Sequence, residues 1–351
     1  MQQAVITEND MLEKLLLVCD RFPASHTQST MLYNYNLLMA FLQDKEITAF
    51  KELPGSTENV YKFTRPFGAI ASSIVRGTSV DPLAAYESLE KEIENNLSGN
   101  IYLYAKQWAL SVKALYYYKE KNFQKAFDFT LECIALNEHL IREGVHTLLF
   151  RSAEQNRNLV RVFFRSGDWQ TAATLGRDLL NYLFNNVPGT LYGKIFSDES
   201  YWDKVPYVRE CYAYQCFKGM VSQMIHLERL PNPKISSLFP YIFENFMLDP
   251  NTPDRLIIYN WLDLKTAFYK GEYDLFIEDF IEYMSEPMSQ LYDILKISLF
   301  LDISKLIENS NYEKKAILRE KIRHHLEVKL NIHEALRKDI SASNFVANDF
   351  N

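Results

Sequence analysis

The chain has 351 residues, 14% of them aromatic, with only eleven Gly and twelve Pro. Such scarcity of turn residues disfavours sandwiches, barrels and propellers, while 47% hydrophobic and 24% charged residues exclude a disordered chain. The 38 Lys and Arg against 45 Asp and Glu give a net charge of −7, which disfavours a nucleic-acid binder because such proteins need basic surfaces.

The N-terminal end and the cysteines indicate a compartment. The first twenty residues carry acids where a signal peptide needs basic residues, and no apolar stretch approaches the roughly 20 residues that span a bilayer. The cysteines form no CxxC pair, and we expect them to be free and mostly buried, as in a reducing compartment. They are Cys19, Cys133, Cys211 and Cys216. The sequence therefore predicts a cytoplasmic protein.

Residues 1–100 form the less regular, N-terminal part of the predicted helical chain. Apolar residues recur at spacings of three and four, which favours helices over strands. Asp81 and Pro82 suit the N-cap and the first helical position of one of these helices. The predicted helices lie near 8–20, 28–43, 65–76 and 81–95.

Residues 101–351 contain a recurring turn, in which a small or polar pair is followed by an aromatic residue. The four turns are Lys121-Asn122-Phe123, Gly167-Asp168-Trp169, Gly271-Glu272-Tyr273 and Ser310-Asn311-Tyr312. A further helix pair is predicted at about 205–228 and 234–246, after an irregular insert at about 185–206. The ragged period of roughly 40 to 50 residues is typical of helix pairs stacked in a solenoid.

These units resemble the tetratricopeptide (TPR) repeat family. One unit is carried by Ala114, Tyr117, Phe123, Ala126 and Cys133. A second is carried by Leu159, Phe163, Gly167 to Trp169, Ala172, Leu179 and Leu180, and a looser third by Gly271, Tyr273, Phe276 and Phe280. The resemblance covers about 104–184 well and about 255–331 more loosely, and it implies an all-α solenoid of stacked antiparallel helix pairs, a TPR-like superhelix within residues 101–351.

A row of arginines marks a candidate anion site. Arg157, Arg161 and Arg165 follow one another at i, i+4 and i+8, which places three guanidinium groups along one helix. The TPR resemblance implies that this helix lines a concave groove and that Lys265 occupies the equivalent position of the third unit. A planar guanidinium suits a carboxylate or a phosphate. The alternative is a solvated face, or ion pairs with acids such as Glu154.

Aromatic residues at matching positions could extend this surface. Trp, Tyr and Arg dominate the binding energy of many interfaces, so exposed aromatic residues would suit a peptide. The alternative is packing between neighbouring helix pairs. The candidates are Trp108, Tyr118, Phe164, Trp261 and Phe268.

Two further clusters favour structural roles. His139, Glu143 and His146 could share a helix face and bind a metal, but Gly144 indicates that the helix ends there. The basic stretch 311–338 interleaves its Lys and Arg with Glu, which favours a capping helix. We therefore expect neither a metal nor a cofactor.

The sequence contains none of the glycine-rich phosphate loops, nucleophile motifs or calcium loops that mark familiar enzymes. We therefore expect a noncatalytic scaffold or adaptor that binds a protein or peptide, with an acidic segment as a candidate, and that binds neither nucleic acid nor membrane. One alternative is a regulator that closes around a small ligand. Another is an enzyme built on a helical toroid.

Overall fold

The protein is all-α, as predicted, and no strand occurs among the residues that its computed structural model describes. Those residues are 8–27, 41–42, 44–46, 48, 57–78, 81–187, 189–197, 206–227, 238–243 and 246–331. The helices are α1 (Glu8–Val18), α2 (Thr57–Arg76), α3 (Pro82–Asn96), α4 (Gly99–Lys119), α5 (Phe123–Arg142), α6 (Leu148–Ser166), α7 (Trp169–Asn185), α8 (Pro206–Leu227), α9 (Leu238–Phe243), α10 (Pro253–Lys270), α11 (Tyr273–Ser285), α12 (Asp293–Asn309) and α13 (Lys315–Lys329).

The chain divides into two compact units, and the division falls within α8. The central unit is Met31–Cys216, and the terminal unit combines Met1–Thr30 with Phe217–Asn351. This differs from the sequence-based boundary near residue 100. The N-terminal hundred residues are shared between the units, because α2 and α3 pack with α4 while α1 packs against α11 and α13.

Apolar packing explains why no boundary falls at residue 100. Phe67 of α2 and Tyr86 of α3 lie in one core cluster with Ala105 and Ala109 of α4. All four residues are nearly inaccessible to solvent. The small alanine side chains let the aromatic rings approach the α4 backbone closely, so the three helices share one core.

The predicted turns of the central unit are confirmed. Asn122 caps α5 by accepting a hydrogen bond from the Lys125 amide at 3.2 Å. Gly167 takes φ = 89°, a left-handed conformation that ends α6, and Asp168 then caps α7. The indole nitrogen of Trp169 donates to a carbonyl oxygen in the last turn of α6, at 3.1 Å. Short connections of this kind make helical hairpins of α4–α5 and α6–α7.

The terminal unit repeats this local chemistry. Gly271, with φ = 77°, ends α10 two residues before α11 begins at Tyr273. Tyr312 lies buried between α12 and α13 and donates from its hydroxyl to Glu13 at 2.6 Å. These two turns are thus also confirmed, and consecutive helices of this unit are in contact from α9 to α13.

The predicted insert begins where α7 ends at Asn185. Its described part is irregular apart from a single 3-10 turn at Lys194–Ser197. The Asn156 side chain holds it against α6 by donating to the Tyr192 carbonyl and accepting from the Tyr192 amide, both at 2.9 Å. The described part of the insert therefore packs against α6 within the central unit.

Several predicted elements fall partly outside the described residues. These include the helix predicted at 28–43 and Glu334, Arg337 and Lys338 of the basic C-terminal stretch, while residues 229–233, between the helices predicted at 205–228 and 234–246, lie entirely outside. Of the helix predicted at 234–246, Leu238–Phe243 is helical. The described part of the predicted capping helix is α13.

All four cysteines are free and buried, as predicted. Burial raises the pKa of Cys133 and Cys216 to about 12, so neither thiol ionises readily near neutral pH. In the part of the chain that the structure describes, no helix is both long and apolar enough to cross a bilayer.

Candidate functional site

A cavity of about 350 Å³ lies in the central unit, among α2, α4 and α6. The exposed Val75 of α2 and the half-buried Tyr118 of α4 lie on its solvent side. The cavity combines apolar walls with charged groups, as small-ligand sites commonly do. Its lining consists of Ala71, Val75, Trp108, Ser111, Val112, Ala114, Leu115, Tyr118, Thr130, Arg151, Glu154, Arg157, Asn158, Arg161 and Val162.

Arg161 is the guanidinium best placed to receive an anion. It donates to the side-chain oxygen of Asn158 at 3.4 Å, and among the described residues no carboxylate oxygen lies within 4 Å of it. Burial lowers the pKa of Arg161, and the positive charge of Arg157 lowers it further. Since the arginine stays charged at neutral pH, a partly desolvated cation here favours an incoming negative group.

Arg157 shares the cavity wall with a carboxylate. One nitrogen of its guanidinium lies 3.5 Å from an oxygen of Glu154, one turn earlier on α6. The guanidinium also lies over the ring of Tyr212, 5.7 Å from the ring centroid. The ion pair with Glu154 that sequence analysis left open therefore forms for Arg157, but not for Arg161.

Arg151 belongs to a buried network below the cavity. Its Nε donates to Glu46 at 3.2 Å, and another nitrogen lies 3.3 Å from Glu154. Tyr104 donates to the other oxygen of Glu46 at 2.6 Å. Burial, and then the charge of Glu46, hold the pKa of the Tyr104 hydroxyl well above its usual value. Because both oxygens of Glu46 accept hydrogen bonds, this carboxylate fixes the position of Arg151, which lines the cavity.

The aromatic wall of the cavity comes from α4. The guanidinium of Arg151 lies 4.3 Å from the centroid of the Trp108 ring, a cation–π arrangement. Tyr118 lies two to three turns further along and meets the Phe123 ring of the adjacent turn edge to face, at 6.2 Å. Both residues are only half buried and share the cavity lining with Arg157 and Arg161.

Two other predicted binding residues on α6 fall outside the cavity. Arg165 is exposed near the end of the helix and is not among the lining residues. Phe164 is only 2% exposed, so its predicted place on a partner surface is wrong. Its position in the last turn of α6 directs the ring into the core instead.

The predicted binding residues of the terminal unit are mostly buried. Trp261 is fully inaccessible and donates from its indole nitrogen to Ser298 at 2.8 Å. Lys265 is 1% exposed and lies 2.6 Å from Asp302. Predicting these two as partner-binding residues is therefore wrong, because α12 covers that face of α10. Phe268 is half buried and packs edge to face against Phe276, at 5.2 Å.

The histidine cluster does not form one helical face. Helix α5 ends at Arg142, Glu143 is its C-cap, and Gly144 follows with φ = 106°. His139 therefore lies on the helix while His146 lies beyond its end. Nowhere in the described ranges do three His, Cys, Asp or Glu residues group as metal ligands.

Sequence analysis missed Arg151 and Asn158, although both lie in the row that lines the cavity. Residues 151, 154, 158 and 161 alternate spacings of three and four, so helical periodicity could have revealed them. No signal could have pointed to Glu46, which meets Arg151 across 105 positions of sequence.

No family model, curated protein or solved structure matches the chain.

Proposed function

We propose that this protein is a noncatalytic scaffold or adaptor of the TPR-like type, and that its central unit binds a protein or peptide segment through a negatively charged group. The observation that carries this proposal is Arg161, a partly desolvated guanidinium that lines an open cavity and has no carboxylate within 4 Å among the described residues.

Alternating helices support the solenoid part of the proposal. In stacked helix pairs, the first helices of successive pairs line one surface. Here α4 and α6 each begin a hairpin, and both line the cavity together with α2. The confirmed polar turns, each followed by an aromatic residue, agree with the same interpretation.

Aromatic residues beside the charge support a peptide as the occupant. Trp108 and Tyr118 offer half-buried rings within the same lining as Arg161. Large amphipathic rings next to arginine are typical of the residues that dominate protein interfaces. A peptide can fill the apolar wall with one side chain while a carboxylate meets Arg161.

The chemistry of the lining favours binding over catalysis. Among the described lining residues, the hydroxyl of Thr130 donates to the Ala126 carbonyl at 2.7 Å, and Ser111 accepts from Gln155 at 3.3 Å. No His, Cys or Lys belongs to the described lining. The one carboxylate of the lining, Glu154, faces Arg151 at 3.3 Å and Arg157 at 3.5 Å, an arrangement that suits an electrostatic role.

We also propose a cytoplasmic location, supported by the four thiols that stay free and buried. The net charge of −7 further supports a protein partner over nucleic acid.

Selection of displayed peptides tests this function. A random peptide library is selected on the wild-type protein, and the affinity of each enriched peptide is measured against Arg161→Gln and Arg165→Gln. We expect peptides with Asp or Glu to be enriched, and Arg161→Gln to weaken them more than tenfold, as loss of a charged hydrogen bond does.

Arg165→Gln is the matched control, because it removes the same charge from the same helix outside the cavity. Helical content is compared by circular dichroism. A library that yields no acidic binders, or binders equally weakened by both variants, would contradict the proposed function.

A small-ligand regulator is the second candidate, favoured by the cavity's volume. About 350 Å³ falls within the roughly 300–1,000 Å³ of small-molecule sites. A small carboxylate that raises the melting temperature without any partner protein would favour this candidate, since binding to the folded state stabilises it. A rise only with peptides would favour the scaffold.

A further inference from the structure

Glu154 is an acidic residue inside a site that we propose to bind anions. It lines the cavity on the same helix as Arg157 and Arg161. Its two oxygens face different arginines, with one oxygen 3.3 Å from Arg151 and the other 3.5 Å from Arg157. A carboxylate in this place reduces the positive potential that an incoming anion meets.

The charges around the cavity can be counted from the described residues. Arg151, Arg157 and Arg161 are positive, and Glu154 and the buried Glu46 are negative. Among these described side chains three are positive and two are negative. Glu154 lowers the positive potential of the lining, and the cost of that reduction doubles when the ligand carries two negative charges, so Glu154 opposes a dianion more strongly than a monoanion.

We propose that Glu154 determines the charge that this cavity accepts, and that it selects a monoanionic carboxylate over a dianionic phosphate. This inference rests on the proposed function, because it concerns the group that the same site receives. Arg161 supplies the contact with the anion. Glu154 acts through the potential and through its hold on Arg157.

The charge of the ligand should then determine how much its affinity changes when Glu154 is replaced. Replacing Glu154 by Gln keeps the size and the hydrogen-bonding oxygen but removes the negative charge. At a separation of about 6 Å and an effective dielectric constant of about 40, removing one protein charge changes the affinity about tenfold for each unit of ligand charge. A dianion should therefore gain about tenfold more than a monoanion.

Three probes with one apolar group measure this preference. They are 3-phenylpropionate, which is a monoanion, 2-phenylethyl phosphate, which is largely a dianion above pH 7, and the neutral 3-phenylpropionamide. Each is titrated at pH 7.5 into the wild type, Glu154→Gln and Arg161→Gln, with binding followed by ligand-observed NMR. The wild type should prefer the carboxylate, and Glu154→Gln should shift the ratio of affinities at least tenfold toward the phosphate.

Glu87→Gln is the charge-matched control, since Glu87 is exposed on α3 and outside the cavity lining. It should leave the ratio of affinities unchanged. Thermal melts show whether Glu154→Gln folds, and Glu154→Asp gives a second variant that keeps the charge and should keep the wild-type preference.

The outcomes separate this inference from the proposed function. An unchanged ratio in Glu154→Gln, with binding of both anions lost in Arg161→Gln, would overturn the role of Glu154 and leave the anion site standing. Equal binding of the amide would contradict both. If no probe binds, the preference proposed here is overturned, and peptide selection decides the function independently.

Discussion

Helices α6 and α10 each carry a predicted binding pair spaced four residues apart, but the two pairs lie in different environments. On α6, Arg157 and Arg161 are spaced four apart, and on α10, Trp261 and Lys265 have the same spacing. Arg161 lines a cavity and has no carboxylate within 4 Å among the described residues. Lys265 is buried against Asp302.

The difference comes from the helix that faces each row. Helix α12 presents Ser298 and Asp302, spaced four apart, and these meet Trp261 and Lys265 one to one. Towards α6, helix α4 presents Trp108, Leu115 and Tyr118, which leave space and offer no carboxylate. A cation on a helix therefore becomes part of the core, as Lys265 does, or part of a cavity lining, as Arg161 does, according to the residues that the facing helix presents.

Breaking the buried pair of the terminal unit should have the largest effect. In Asp302→Asn, Lys265 stays inside the core without its carboxylate, which should cost about 3–5 kcal/mol of the free energy of unfolding. Urea denaturation measures this loss. The control is Glu308→Gln, which breaks a half-exposed pair with Arg319 and should cost less than about 1 kcal/mol.

Recovery in a double variant would sharpen this result. Combining Lys265→Met with Asp302→Leu is expected to regain most of the stability, because neither side chain then buries a charge. A loss below about 1 kcal/mol in Asp302→Asn would contradict the buried ion pair.

Acid should weaken the terminal unit through His325. The ring is 2% exposed between Phe22 and Phe300, and burial lowers its pKa to about 4, with Lys329, Lys296 and His324 adding smaller positive-charge effects. In the unfolded chain the imidazole of His325 takes up a proton near pH 6.5, whereas in the folded chain it stays neutral down to about pH 4. The stability that comes from burying the neutral ring is therefore fully present above about pH 6.5. It should be lost as the pH falls from about 6.5 to 4, by about 3 kcal/mol.

The measurement is the free energy of unfolding of the wild type and His325→Phe across this pH range. The difference between the two should change by the stated amount. Exposed His324→Gln serves as the matched control and should follow the wild type. Parallel curves for the wild type and His325→Phe would refute the buried neutral histidine.

Tryptophan substitutions compare the cavity wall of the central unit with the core of the terminal unit. Trp261→Phe removes a buried hydrogen bond and leaves a void, which should cost about 1–3 kcal/mol. Trp108→Phe keeps an aromatic face under Arg151 at a half-buried position and should cost less than about 1 kcal/mol. Thermal melts of both variants show which one loses more stability. A larger loss in Trp108→Phe than in Trp261→Phe would contradict the placement of Trp261 in the core.

The smallest effect on stability should come from Arg161→Gln. This change removes a desolvated cation whose nearest charged neighbour on α6 is another arginine, so we expect a change below about 1 kcal/mol in either direction. A loss of several kcal/mol in urea denaturation would show that Arg161 is a structural residue like Lys265.

Local patterns in the sequence account for the helices and their turns. The glycine, asparagine and aspartate residues at 122, 167, 168 and 271 act on their own helix ends, so they could be interpreted without knowledge of the rest of the fold. Helical spacing and the TPR resemblance together singled out Arg161, Trp108 and Tyr118, which line the same cavity.

Long-range contacts could not be predicted in the same way. Glu46 meets Arg151, and Asp302 meets Lys265, through packing between helices that are distant in sequence. A single sequence shows which residues share a helix face but not which residues face them. For that reason Lys265 and Arg161 looked equivalent before the structure separated them.

The central claim is that Arg161 contacts the anion, and the NMR signals of arginine side chains test it most directly. The Nε–H resonance of Arg161 is assigned by its absence from Arg161→Gln, and 3-phenylpropionate is titrated into the wild-type protein. We predict that this resonance shifts and saturates with the ligand, while that of Arg165 stays in place. Saturable binding with an unmoved Arg161 resonance would contradict the account.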